Sequence, residues 1–203
     1  MKERLPKVII LSCGRSGSTF TQRMINSHNL MNFGHEEILR NGGIGWTIGL
    51  SLKMNYNNTG FWEGLDQNTI LHQVRHPLKM VRTICTHTHR LREEISQSIG
   101  IRGKTDLEFA MKYWLTWNQI CQEKAQWTYR VEELTKGSET LQVLLKHLGI
   151  TENDVLMPPQ NTNSRLNRLK KEERTITIED CKKVSPEITQ KIIEQSRTYG
   201  YEL

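Results

Sequence analysis

Cys13-Gly14-Arg15-Ser16-Gly17-Ser18-Thr19 gathers two glycines, three hydroxyls and a guanidinium into one short turn. Glycines let a backbone turn tightly and come close to a ligand. Before the turn, Lys7 to Cys13 is apolar and β-branched, as a strand covered on both faces would be. After it, Phe20, Met24 and Ile25 fall at helical spacing within Ser18 to Ser27. A helix starting there aims unpaired N–H groups and the positive end of its dipole at the turn. Ser18 and Thr19 add hydroxyl donors, and Arg15 adds a fixed charge. The chemistry is that of a cradle for phosphate or a similar oxyanion. The plainer alternative is an ordinary strand-to-helix turn capped by Ser18.

A Walker A loop reads GxxxxGK[ST], with a lysine that reaches the phosphates. Here Ser18 follows the second glycine, and the next buried strand, Thr69 to Val74, runs into Arg75 where a magnesium-holding Asp would be sought. These residues disfavour a metal-dependent nucleoside-triphosphate site.

The sequence Gly14-Arg15-Ser16-Gly17-Ser18-Thr19 resembles the 5′-phosphosulfate loop of sulfotransferases that use 3′-phosphoadenosine-5′-phosphosulfate (PAPS). Their second signature is a strand ending in Arg, then a Pro-led helix with a hydroxyl residue eight positions after the Arg. Gln73-Val74-Arg75-His76-Pro77-Leu78-Lys79-Met80-Val81-Arg82-Thr83 is similar to it, with Thr83 for the usual Ser. Tyr129-Arg130-Val131-Glu132-Glu133-Leu134, with a later helix ending His147-Leu148-Gly149-Ile150, is similar to a third family segment. The close at Tyr199-Gly200-Tyr201 is also typical of it. The resemblance implies a P-loop-like three-layer α/β fold with a central, mostly parallel sheet flanked by helices. It implies transfer of a sulfonate group from PAPS to a hydroxyl acceptor (carbohydrate, tyrosyl or small-molecule), with adenosine 3′,5′-bisphosphate as product and no metal. By the same match, Gly14, Arg15, Ser16, Gly17, Ser18 and Thr19 hold the phosphosulfate, and Arg75 and Thr83 hold the 3′-phosphate. Arg165, in the basic stretch Arg165 to Arg174, belongs to a flap over the nucleotide; the alternative there is a solvated loop.

Two separate anions need two separate cation sites, and an Arg matches a phosphate with two planar donors. Negative charge builds on the bridging oxygen as the sulfonyl group leaves, and a cation beside it stabilises the transition state. By the family match that cation is Arg15, where many relatives carry Lys. The acceptor hydroxyl must lose a proton to a placed base. Phe33-Gly34-His35-Glu36-Glu37-Ile38 is similar to the Gly-Glu-Glu segment of tyrosylprotein and some carbohydrate sulfotransferases. Glu36 is accordingly the expected base, with Glu37 and His35 behind it. Two solvated carboxylates opening a helix are the alternative.

These residues need a scaffold, and strand and helix alternate to supply one. Further strands are expected at Thr69 to Val74 and Trp127 to Val131. Helices are expected from Pro77 (Leu78, Val81, Cys85 and Thr88 on one face), from a Thr105/Glu108 capping box (Leu107, Ala110, Met111, Trp114 and Cys121), and up to Gly149 (Leu141, Leu144, Leu145 and Leu148). Two capped segments, at Thr177/Asp180 and Ser185-Pro186, close the chain. Asn41 to Gly64 holds six glycines and reads as the least regular part, a wall of the site in which Trp46 and Trp62 either stack on an acceptor or join the core. The organisation expected is one domain over 1–203, with a core over 1–156, a basic loop over 157–176 and terminal helices over 177–203.

The chain has 203 residues, 36% hydrophobic and 25% charged, which excludes a disordered or collagen-like chain. No apolar run approaches the length of a membrane span or a signal-peptide core, so a cytoplasmic protein without membrane partners is expected. Four dispersed cysteines and four scattered histidines (His72, His76, His87, His89) argue against a disulfide framework or a metal site. The net charge is +6, and its excess lies in the first hundred residues. Besides the sulfotransferase, the alternatives are a small P-loop kinase with an eroded lysine and a non-catalytic binder of RNA or another polyanion through the basic first half. Only 7% of residues are aromatic, and no stacking motif of the RNA-binding folds occurs, which argues against nucleic acid.

Overall fold

Val8–Ser12 (β1) is buried along its whole length, and its alternate residues serve two different cores. Ile9 and Leu11 face one cluster with Met80, Ile84, Phe109, Trp114 and Trp117. Val8 and Ile10 face another with Met24, Ile25, Leu141 and Leu144. A period-two strand sandwiched by helices produces this division.

The computed structural model describes residues 8–29, 31–46, 48, 70–87, 89–151, 153, 155–157 and 175–203. After β1 come α1 (Ser18–Asn26), β2 (Phe33–His35), β3 (Gly42–Gly45), β4 (Ile70–Val74), α2 (Pro77–His87), α3 (His89–Ile99), α4 (Asp106–Gln122) and β5 (Trp127–Arg130). A short 3-10 turn (Val131–Glu133), α5 (Glu139–Leu148), α6 (Ile178–Val184) and α7 (Pro186–Thr198) follow. The five strands form one parallel sheet in the order β2-β3-β1-β4-β5, flanked by helices. This is the α/β layering expected from the sequence. α1 and α5 pack on one face of the sheet; α2, α4, α6 and α7 supply the core on the other. Among the described residues, no helix is long and apolar enough to cross a membrane.

Because every strand runs the same way, all five carboxyl ends open on one edge. The chain leaves β1 towards β3 and β2 on one side, then returns to β4 on the other. The crevice between the carboxyl ends of β1 and β4 is therefore a topological switch point, where open α/β sheets bind ligands.

Several expectations are corrected. Glu36 and Glu37 do not open a helix; they lie in a bend that follows the strand Phe33–His35. The glycine-rich stretch begins with another, buried strand, β3. A Cβ at Gly42 would overlap the Val8 carbonyl, and one at Gly43 or Gly34 the Glu37 carbonyl, so close backbone approach requires these glycines. Trp46 is 8% exposed and packs edge-on against Trp117, so it belongs to the core and not to a stacking wall. The box at α4 is half formed: Thr105 Oγ1 accepts from Glu108 N, but the Glu108 carboxylate accepts from Lys104 N. The reciprocal box is complete at Thr177/Asp180, and Ser185 caps α7 ahead of Pro186. The polar helix His89–Ile99 adds an element that the sequence pattern did not reveal.

Candidate functional site

The turn from β1 to α1 is bent by left-handed residues at Arg15 (φ 70°) and Gly17 (φ 92°), and closed by Ser16 N donating to Cys13 O at 3.1 Å. Arg15 is not a glycine, so this conformation is held by its surroundings at a cost of order 1–3 kcal/mol. Gly17, and not Ser18, occupies the cap position of α1, and no side chain caps the helix. Phe20 N and Thr21 N both donate to the Gly17 carbonyl, so the N–H groups of Ser18 and Thr19 are the ones that point out of the helix end. The Gly14 N–H is already used, donating to the Tyr113 hydroxyl at 2.9 Å. Gly14 therefore contributes close approach and not a donor.

Gln73, near the end of β4, pins this turn from below. Its Nε2 donates to the Ser16 carbonyl at 3.0 Å, while its Oε1 accepts from Thr21 Oγ1 at 2.5 Å and from the Tyr129 hydroxyl at 2.9 Å. Sequence reasoning missed Gln73; a lone amide inside the apolar run TILHQV was the available signal. Two residues on, Arg75 Nη1 donates to the Arg15 carbonyl at 2.9 Å. Burial lowers the Arg75 pKa, Glu132 counters, and the neighbouring Arg15 and Arg82 push it further down. The Arg75 guanidinium, bonded to the Arg15 carbonyl, thus feels the positive charges of Arg15 and Arg82. Buried polar atoms left over at the turn are Ser16 Oγ and Arg15 Nε, neither of which has a partner. A buried hydroxyl without a hydrogen bond is costly, and an oxyanion in the cradle would satisfy it.

No protein-family model matches the chain, and no curated protein does. Among solved structures it is similar to the sulfotransferase domain from the curacin biosynthetic pathway, at 16% identity over 99% of this chain and 100% of that one, with a TM-score of 0.56. The fold is sulfotransferase-like. A mouse sulfotransferase, SULT7A1, complexed with PAP, aligns at 13% identity over 87% of this chain and 66% of that one, with a TM-score of 0.39.

Within this sulfotransferase-like fold, the expected base segment comes to the same edge. His35 ends β2, and its Nε2 lies 3.0 Å from Ser18 Oγ and 3.2 Å from Thr19 Oγ1. Glu36 follows with φ 61°, a left-handed turn for a residue with a side chain, and its Oε1 is 3.9 Å from His35 Nε2. Its backbone N–H still bonds Ile44 O at 2.9 Å, so the sheet ladder fixes the turn. A Cβ at Gly45 would overlap the Glu36 carboxylate, so that carboxylate lies over the end of β3. Gly14 to Thr19, His35 and Glu36 are thus one constellation. Arg75 joins it through the Arg15 carbonyl.

Thr83 stands further along α2, where its hydroxyl donates to the Lys79 carbonyl at 2.8 Å. At the start of α2, Glu132 accepts from His76 N at 3.0 Å and from the Tyr201 hydroxyl at 2.8 Å. Arg130 pairs with Glu133 and donates to Gly200 O at 2.5 Å. The Tyr199-Gly200-Tyr201 end therefore braces the Arg75 neighbourhood. His72 uses both ring nitrogens internally, on Asn118 Oδ1 (3.0 Å) and Thr128 Oγ1 (3.3 Å). Trp62, Thr88, Arg165 and the basic run through Arg174 lie outside the described residues.

Proposed function

We propose that the protein is a PAPS-dependent sulfotransferase acting on a hydroxyl acceptor. The observation that carries this reading is the cradle at the β1/β4 switch point: an uncapped helix start, an orphaned buried Ser16 hydroxyl, and Arg75 bonded to the Arg15 carbonyl. Such a site favours a multiply charged anion. Gln73, engaged in three hydrogen bonds, stands near the end of β4 where a kinase would need a magnesium-holding acid.

In this reading the turn holds the 5′-phosphosulfate through α1's first N–H groups and the Ser16, Ser18 and Thr19 hydroxyls. Arg75 and Thr83 take the 3′-phosphate, and Arg165 of the basic stretch is a further cation for the nucleotide. The acceptor O–H passes its proton to the Glu36 carboxylate as its oxygen bonds to sulfur. The bond from sulfur to the bridging phosphate oxygen breaks, and Arg15 stabilises the charge left on that oxygen. Adenosine 3′,5′-bisphosphate leaves. The 203 residues act as one catalytic domain.

Thermal-shift titration with adenosine 3′,5′-bisphosphate, ATP plus magnesium, and an RNA oligomer tests the reading. The bisphosphate should stabilise the fold without added metal, by about 2.7 kcal/mol at a hundredfold excess over its dissociation constant. No shift at millimolar bisphosphate, or a strict magnesium requirement, overturns it.

A further inference from the structure

One nitrogen of His35 meets two kinds of group. From α1 it faces the hydroxyls of Ser18 (3.0 Å) and Thr19 (3.2 Å), and from its own turn it faces the Glu36 carboxylate at 3.9 Å. Across the sheet it is registered with Ile44 of β3, which carries no charge. Its side chain is 36% exposed, so the imidazole exchanges protons with solvent.

A hydroxyl has a single proton to donate. If His35 Nε2 offers a lone pair, it takes that proton and turns the O–H away from whatever occupies the turn. If Nε2 carries a hydrogen, it donates to the hydroxyl oxygen and leaves the O–H free for the ligand. Which tautomer is present decides the direction while the ring is neutral. Protonation removes that ambiguity, because both ring nitrogens then donate.

We propose that His35 is a positioning residue that orients the Ser18 and Thr19 hydroxyls towards the donor anion, and that its protonated form is the one that favours donor capture. The inference rests on reading the Gly14 to Thr19 turn as the phosphosulfate site. It adds a coupling to that reading. Protonated His35 also pairs with Glu36, and a carboxylate engaged by a cation is a poorer base. Donor binding therefore strengthens as His35 takes up a proton, while the proton-abstraction step strengthens as it loses one. Loading and turnover draw on opposite protonation states of the same ring.

Adenosine 5′-phosphosulfate is a suitable probe, because its phosphosulfate charges stay fully ionised between about pH 5 and 8. Calorimetry on the wild type should show roughly tenfold tighter binding at the acid end, the scale of one charge-assisted hydrogen bond. In buffers of different ionisation enthalpy, binding between those limits should take up a fraction of a proton. His35→Gln, which keeps an amide N–H but cannot titrate, should bind the probe with no pH slope and no proton uptake. Flat wild-type affinity without proton uptake, or an unchanged slope in His35→Gln, overturns the role of His35 and leaves the sulfotransferase reading standing. The wild-type measurements decide the matter alone if the variant fails to fold. Failure of both the probe and the bisphosphate to bind at every pH overturns the donor-site reading itself.

Discussion

The carboxylate of Glu36 fills the place that a side chain on Gly45 would need. The two residues end adjacent parallel strands or lie just past their ends, and one is side-chain-free where the other turns back with φ 61°. Gly45→Ala should therefore push the carboxylate aside. Overpacking of this kind costs about 1–3 kcal/mol of stability, read as a lower urea midpoint. Sulfonation of an identified acceptor should fall by about tenfold or more, while bisphosphate affinity holds within about threefold, since the donor turn is untouched. An unaltered turnover would separate Glu36 from the chemistry.

Glu36→Gln tests the base directly. The amide keeps size and polarity but takes no proton at neutral pH, so kcat should drop by about 10² or more with nucleotide binding preserved. Glu37→Gln is the control and should retain most activity. Exchanged phenotypes would assign the base to Glu37, and full activity in both would move the search to His35.

Arg75→Ala should weaken adenosine 3′,5′-bisphosphate by roughly 10- to 150-fold, the loss expected for a charge-assisted bidentate contact. Adenosine 5′-phosphosulfate, which lacks the 3′-phosphate, should lose much less. Equal losses for both ligands would mean that Arg75 acts through its bond to the Arg15 carbonyl and does not read the 3′-phosphate.

Burial holds the pKa of His72 down at about 4, from 6.5, although Asn118 favours the charged form. The unfolded chain thus binds more protons than the folded one below pH 6.5. Stability should be intact above that pH, decline from about 6.5 to about 4, and level off below, with a loss of roughly 3 kcal/mol from this group. Urea unfolding at a series of pH values measures the slope, and His72→Asn should flatten it.

The strands that carry the Gly14 to Thr19 turn and Arg75 were legible because β1 is apolar up to Ser12 and β4 is apolar but for His72 and Gln73. The helix bounds were legible from Ser185-Pro186, Thr177/Asp180 and Gly149, whose φ of 67° ends α5 as a C-terminal glycine should. Phe33–His35 is too short for periodicity to register. Gly42–Gly45 has a composition that normally argues against a strand. Its glycines are explained by atoms distant in sequence: the Val8 and Glu37 carbonyls and the Glu36 carboxylate. Gln73 was invisible for a similar reason. Its partners Ser16, Thr21 and Tyr129 come from three other segments, and no spacing encodes their meeting.

Three of the four residues of β3 are glycines, and a glycine gives up about 0.5–1 kcal/mol more conformational freedom than alanine on being ordered in a strand. They also bring no side chains to anchor the strand to the helices above and below. The cost of order in the sheet therefore falls most heavily on β3, which is held by its ladders to β1 and β2 and by Ile44 in the core. It is also the strand with the least room to vary: at each of its three glycines, other atoms already fill the space a side chain would need.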